Sequence, residues 1–227
     1  MARKRSAAGR ARFVPVLMPE TRDLQARWVY YSRMIEALNG ILTESGIFMR
    51  MVHCLHDYQR EHFLQTLGEQ YCGAIFLGPM YVYPEFVAEV ARKLEGPKVM
   101  LDHHFDDLPV HSVREDAVAG MRAVAEHLLG LGHRRIAYVD HRDPAANPWK
   151  REGIAAALAA AGLPMIEGSR TAGARHQFTD AVAALDWFMR GEEKPTAIMC
   201  CDDGHALFLL RAAAERGMSV PGDLSIS

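Results

Sequence analysis

The sequence has few cysteines and no cysteine motif. Four of its 227 residues are cysteine, and no two of them have C-x-x-C spacing. Most of them stand in apolar segments, where a reduced cysteine behaves as a small hydrophobic residue. The sequence therefore indicates neither a disulfide framework nor a zinc site. The four positions are Cys54, Cys72, Cys200 and Cys201.

Long apolar segments and enzyme motifs are missing as well. No run approaches the ~20 residues that span a bilayer, and Phe13 to Met18 is too short for the core of a signal peptide. We therefore expect a cytoplasmic protein without a membrane partner. No P-loop, G-x-G-x-x-G or G-x-S-x-G motif follows an expected strand, which argues against an enzyme and against a bound cofactor.

The chain also lacks an excess of positive charge. Its formal net charge is −2, with 49% hydrophobic and 24% charged residues, as in ordinary globular proteins. A protein body that coats nucleic acid has a clear basic excess. Basic residues are concentrated only in residues 1–12, which we expect to form a basic tail. They are Arg3, Lys4, Arg5, Arg10 and Arg12.

Strand-like and helical patterns alternate along the chain, which predicts an α/β fold with parallel sheets. Residues 102–112 interrupt the alternation with His, Asp and Pro, so we expect the chain to cross between two lobes there. The expected lobes are 13–107 and 108–227. The strand-like runs are 13–18, 48–53, 73–77, 98–101, 135–139, 197–201 and 224–227.

Four motifs occur in a fixed order in the second half. In the first, Asp116 opens an amphipathic helix, Gly120 follows four residues later, and LGHRRIA leads into a strand. The others are KREGIAAALAAAGL at 150–163, PTAIMCCDDGHAL at 195–207 and RGMSVPGDLSIS at 216–227. Their order and spacing resemble the effector-binding domain of LacI/GalR-type bacterial transcription regulators. The first hundred residues match that family more loosely.

The resemblance implies two Rossmann-like lobes of the periplasmic-binding-protein type. It further implies a small sugar-like effector bound between the lobes, which controls DNA binding by a dimer through a head domain outside this chain. Measured against that family, we expect the last strands and crossover of the second lobe to be missing and residues 1–12 to be a hinge remnant. The alternatives are a sensor with a GntR-type head and a periplasmic-type solute-binding protein.

The resemblance assigns ligand contacts to three aspartates. Asp116 matches an aspartate that accepts hydrogen bonds from ligand hydroxyls, Asp202 a ligand-contacting asparagine, and Asp203 the family's usual aspartate. Each also stands at a helix start, where capping alone would explain it. A carboxylate in place of the amide at position 202 favours a hydroxyl-rich or cationic ligand over an anionic one.

Two cations and two aromatic residues complete the expected site. Lys150 stands where the family has a sugar-clamping arginine, and because lysine lacks the planar fork, Arg151 is the alternative. A solvated helix start is the plainer explanation for Arg151. Tyr31 and Trp149 lie near loop-to-helix junctions and are candidates to stack on a sugar ring, although core packing is the commoner fate of an aromatic residue.

A histidine-rich segment suggests metal binding only at first sight. His103 and His104 lie among three aspartates at 102, 106 and 107. However, the segment has no pair of histidines at i and i+4 on a helix, and a solvated crossover loop explains its composition. We therefore expect no metal site.

Overall fold

The computed structural model describes residues 12–18, 24–54, 56–67, 71–78, 80, 83–140, 148–167 and 178–227. The chain forms two compact units, the first ending at Glu115 and the second beginning at Asp116. Except for Arg12, the expected basic tail at 1–12 lies outside the described residues. None of the helices in the described ranges is both long and apolar enough to cross a membrane.

The first unit has a parallel five-stranded sheet in the order β2-β1-β3-β4-β5. Each strand but the last is followed by a crossover, and helices supply the first three crossovers. The elements are β1 (Arg12–Met18), α1 (Leu24–Glu44), β2 (Ile47–His53), α2 (Asp57–Thr66), β3 (Ala74–Leu77), α3 (Pro84–Lys93), β4 (Lys98–Leu101) and β5 (His111–Val113).

Both faces of this sheet are apolar, as expected for a central parallel strand covered on two sides. Successive side chains of a strand point to opposite faces. Thus Leu17 and Phe76 pack in one cluster with residues of α2 and α3, while Val16 and Ile75 pack in another with Tyr31 of α1. Burial of each such large side chain stabilises the fold by about 1.5–3 kcal/mol.

The second unit has a parallel four-stranded sheet in the order β7-β6-β8-β9. One face packs against α4 and α5, and the other packs against α6 and α7. The elements are α4 (Ala117–Gly130), β6 (Ile136–Val139), α5 (Pro148–Ala160), β7 (Ile166–Glu167), α6 (Phe178–Arg190), β8 (Ala197–Cys200), α7 (Asp203–Glu215) and β9 (Ser225–Ile226).

Helices α4 and α5 approach each other closely at Gly153. A Cβ atom at this position would lie 2.3 Å from the carbonyl oxygen of Val118. Only a glycine permits this distance, because the atom that it faces belongs to the backbone of α4. The contact sets how closely α5 packs against α4.

The structure confirms the α/β class and the parallel sheets. It adds two strands, β5 and β7, that the sequence did not predict. Strand β5 falls at the end of the segment that we expected to be a crossing, and it pairs with β4. The units divide between Glu115 and Asp116, whereas the sequence placed the boundary between Asp107 and Leu108. Both added strands are short and lack a long apolar run, so they form through pairing with a neighbouring strand.

Candidate functional site

Polar side chains gather where two neighbouring strands of the second unit end. Val139 of β6 is the register partner of Cys200 of β8, and the amide of Cys201 donates to the carbonyl of Val139 at 3.0 Å. Asp140 and Cys201 therefore leave the sheet side by side. This carboxyl edge is where parallel α/β sheets bind ligands, because loops and helix N-termini converge there.

Asp140 is a buried acid with two donors. Its carboxylate accepts a hydrogen bond from Arg151 Nε at 3.4 Å and another from the Tyr138 hydroxyl at 3.3 Å. Only 7% of Asp140 is exposed. Burial, with smaller contributions from Cys201 and Asp140, raises the pKa of Tyr138 far above its ordinary value. The phenol therefore stays protonated and remains a donor to the carboxylate.

Lys150 joins the start of α5 to the end of β8. Its Nζ donates to the carbonyl oxygen of Cys201 at 2.6 Å. Arg151, the next residue, joins the same helix to the end of β6 through Asp140. Trp149 is partly buried in the same helical turn. The structure thus brings Lys150 and Arg151 to the carboxyl edge of one sheet, with Trp149 next to them in the helix.

The three predicted aspartates lie at helix starts. Asp116 caps α4 by accepting from the amide of Ala119 at 3.0 Å, and its side chain is exposed. Asp202 caps α7 by accepting from the amide of His205 at 2.9 Å, and it also contacts Nδ1 of that histidine at 2.8 Å. Asp203 is the exposed first residue of α7. Capping is therefore one role of Asp116 and Asp202, and their role in binding stays a prediction.

Cys201 is a buried thiol beside His205. The Sγ atom lies 3.3 Å from His205 Nδ1. Burial is the largest cause that raises the pKa of Cys201 well above its ordinary value, and the negative charge of Asp202 adds to it. A catalytic triad needs its acid and its nucleophile on opposite nitrogens of the imidazole. Here both contact the same nitrogen, so the arrangement is not that of a cysteine hydrolase.

Tyr31 belongs to a different cluster, in the first unit. Its buried hydroxyl donates to Asp102 Oδ2 at 3.1 Å, and Tyr30 donates to Oδ1 at 3.2 Å. Asp102 follows β4 and has a φ of 70°. Strained backbone of this kind costs about 1–3 kcal/mol and occurs often at functional sites. Burial first, and then the negative charge of Glu115, raise the pKa of Asp102 above its ordinary value.

This raised pKa predicts a pH-dependent effect of Asp102→Asn. A group whose pKa is raised by folding contributes stability that is full below its unfolded value, 3.8, and lost as the pH rises through the folded value. Asparagine cannot ionise and tolerates a positive φ. We expect the variant to be more stable than the parent near neutral pH, as measured by urea unfolding. An equal gain well below pH 3.8 would contradict the electrostatic explanation, because Asp102 is then neutral in both states.

Sequence reasoning assigned no binding role to Asp140, Tyr138, His205 or Asp102. Asp140 directly follows an apolar strand, as Asp202 follows the apolar run 197–201, and this position was a signal that could have found it. His104 contacts Ser112 and Asp106, as expected for a local loop network.

Comparison with known proteins gives one family and a consistent set of relatives. Residues 125–227 match the periplasmic binding protein-like domain family. Catabolite control protein A of Priestia megaterium is 27% identical over 222 residues, which cover 94% of this chain and 63% of that protein. The HTH-type transcriptional repressor PurR of Vibrio atlanticus is 24% identical over 204 residues, covering 89% and 61%. The chain thus spans about three fifths of these relatives, at 63% and 61%.

Solved structures of LacI-family regulators share the fold. A putative LacI regulator from Bacillus cereus subsp. cytotoxis superimposes with a TM-score of 0.78 at 20% identity, covering 95% of this chain and 77% of that one. A LacI-family regulator from Enterococcus faecium with bound ribose gives 0.75 at 22% identity, covering 94% and 76%. The resemblance drawn from the sequence is thereby confirmed: residues 125–227 match the periplasmic binding protein-like domain family, and most of the chain is similar to LacI-family transcription regulators.

Proposed function

We propose that this chain is the effector-sensing region of a LacI-type transcription regulator and that it binds a small sugar or sugar derivative. The observation that carries the proposal is the polar carboxyl edge of the second sheet. There Lys150 and Arg151 from one helix meet the strand ends at Asp140 and Cys201. The carboxylates at the strand ends accept hydrogen bonds and the cations at the helix start donate them, and a polyhydroxy ligand requires both.

The chemistry of the edge favours hydroxyl groups over anions. Asp202 and Asp203 add carboxylate acceptors directly after Cys201 in the chain, and the side chain of Asp202 is 24% exposed. Because carboxylates accept but do not donate, they pair with ligand hydroxyls and repel phosphate or carboxylate groups. Trp149 would stack on a ring face. Asp116 is a further proposed contact of the second unit, and the ligand contact expected of Tyr31 in the first unit stays a separate prediction.

Two relatives support a sugar as the effector. The Enterococcus faecium regulator was solved with ribose, and a LacI-family regulator from Weissella paramesenteroides was solved with sucrose. In the whole protein, which we propose to be a cytoplasmic dimer, the effector would favour one conformation and so change DNA binding. Such a shift requires that the ligand bind the two conformations with different affinity.

Ligand-induced thermal stabilisation of the 227-residue chain tests the proposal. We expect at least one member of a panel of pentoses, hexoses and disaccharides to stabilise the chain, by about 2.7 kcal/mol at a free concentration 100 times Kd. Arg151→Ala should abolish the shift. Asp202→Ser and Asp116→Ser should weaken it while they keep the helix caps, because serine caps about as well as aspartate.

The matched control is Arg211→Ala. Arg211 is an exposed arginine of α7 that pairs with Glu215 on the same helix, away from the carboxyl edge. This variant should keep the full sugar-induced shift. The proposal is wrong if no sugar stabilises the parent chain, and the site is wrong if Arg151→Ala responds to the sugar as the parent does.

A further inference from the structure

Three different metal-binding side chains converge at the start of α7. Donor atoms of Cys201, Asp202 and His205 all lie within 4.8 Å of one another. Nδ1 of His205 is the centre of the group, at 3.3 Å from Cys201 Sγ and 2.8 Å from Asp202 Oδ1. Cys201 and His205 are 2% and 4% exposed.

The position of one proton on the imidazole of His205 decides how these three side chains interact. If Nδ1 of His205 carries the proton, it donates to Asp202 at 2.8 Å and more weakly to Cys201 Sγ at 3.3 Å, because a thiol sulfur is a weak acceptor. If Nε2 carries the proton, the lone pair of Nδ1 accepts from the Cys201 thiol but faces the lone pairs of Asp202 at 2.8 Å. The tautomer with the proton on Nδ1 therefore suits both neighbours, and the three donor atoms surround one shared proton.

A metal ion can take the place of that shared proton, because a cation accepts a lone pair from all three atoms at once. The thiol then releases its proton to solvent, and the imidazole carries its proton on Nε2. Zinc binds at about 2.3 Å to sulfur and about 2.0–2.2 Å to nitrogen and oxygen. Tetrahedral geometry at those lengths separates neighbouring donors by roughly 3.3–3.6 Å. The two separations from Nδ1, 3.3 and 2.8 Å, would need to open by about half an ångström or less to reach that range, and the donor atoms of Cys201 and Asp202 lie within 4.8 Å of each other.

The identity of the donors selects the class of metal. Thiolate, imidazole and carboxylate together suit a borderline-soft divalent ion such as Zn²⁺ or Co²⁺, and they suit Mg²⁺ or Ca²⁺ poorly. The two negative charges of the thiolate and carboxylate balance the charge of the ion. Asp202, whose side chain is 24% exposed, opens the group to solvent, whereas Cys201 and His205 are buried.

We propose that Cys201, Asp202 and His205 bind one divalent transition-metal ion of the zinc class and leave its fourth coordination position open to solvent. The ion would tie the end of β8 to the first turn of α7. The proposal does not rest on the sugar effector, because metal binding is measured without any sugar. A site of this kind would make the carboxyl edge responsive to metal availability.

Cobalt titration of the reduced, chelator-treated chain is the direct test. We expect one equivalent of Co²⁺ to produce a thiolate-to-cobalt charge-transfer band and the visible d–d bands of tetrahedral coordination, and Zn²⁺ to bleach them. Cys201→Ala should remove the charge-transfer band. His205→Gln should weaken binding by at least about 100-fold, the upper range for loss of a mere supporting partner of a metal ligand.

Cys200→Ala is the matched control. Cys200 is the adjacent buried cysteine, but its side chain packs in the cluster on the opposite face of the sheet. This variant should retain the charge-transfer band. The proposal is overturned if the parent chain gives no such band, or if the band survives in Cys201→Ala and disappears in Cys200→Ala. His205→Gln serves as the second readout if circular dichroism shows that Cys201→Ala does not fold.

Discussion

Gly153→Ala will destabilise the second unit by about 3 kcal/mol, at the upper end of the cost of overpacking a close contact. The new Cβ would lie 2.3 Å from the carbonyl oxygen of Val118 and 3.0 Å from the amide nitrogen of Arg122. Both atoms belong to the backbone of α4, so the two helices must separate. Because Lys150 and Arg151 occupy the first turn of α5, the same change should also abolish any sugar-induced stabilisation.

Urea unfolding followed by circular dichroism measures this effect, with Gly120→Ala as the control. Gly120 also lies in a helix of the second unit, but a Cβ there would meet nothing within 4 Å. Alanine at that position should therefore stabilise the unit by about 0.5–1 kcal/mol, the ordinary helix preference of alanine over glycine. If both variants gain stability, the result contradicts the close approach of α4 and α5 at Gly153.

Gly96→Ala is expected to have the second large effect, in the first unit. Gly96 has a φ of 95° in the turn between α3 and β4, and its Cβ would lie 2.4 Å from the carbonyl oxygen of Cys72. An L-residue in the left-handed region costs about 1–2 kcal/mol. Overpacking against the backbone adds about 1–3 kcal/mol. The loss in free energy of unfolding should therefore be about 2–5 kcal/mol.

Gly132→Ala separates the two contributions. Gly132 has the same φ of 95°, but no atom lies within 4 Å of its would-be Cβ. Its substitution should cost only the backbone strain, about 1–2 kcal/mol. Equal losses for Gly96→Ala and Gly132→Ala, measured by urea unfolding of each variant, would show that the contact with Cys72 contributes nothing.

Local patterns were sufficient to predict the fold class. The strands at 13–18 and 136–139 are apolar on both faces, and glycines follow the helices, so the alternation of strands and helices is visible in the sequence. Strand β5 was missed because its three residues, HSV, form no apolar run, and only the middle one is partly buried. Its position depends on pairing with β4, and the sequence of three residues does not encode that pairing by itself.

The candidate site was predicted in part for a similar reason. Lys150 and Arg151 were identified from a local motif, but their partners were not. Cys201 is distant in sequence from Lys150, and the two meet only because β6 and β8 are neighbours in the sheet. Cys201 and His205, by contrast, are close in sequence, but their spacing is not a recognised metal-binding motif, so the sequence did not point to them. Their convergence depends on the turn that starts α7.

The contacts of Lys150 and Arg151 also bear on the energetics of ligand entry. Both cations already have acceptors within the protein, the carbonyl of Cys201 and the carboxylate of Asp140. An effector that uses these cations must therefore compete with internal partners, so its binding is an exchange of hydrogen bonds with a small net enthalpy. Discrimination among sugars then depends on which stereoisomer can replace both internal acceptors at the same time.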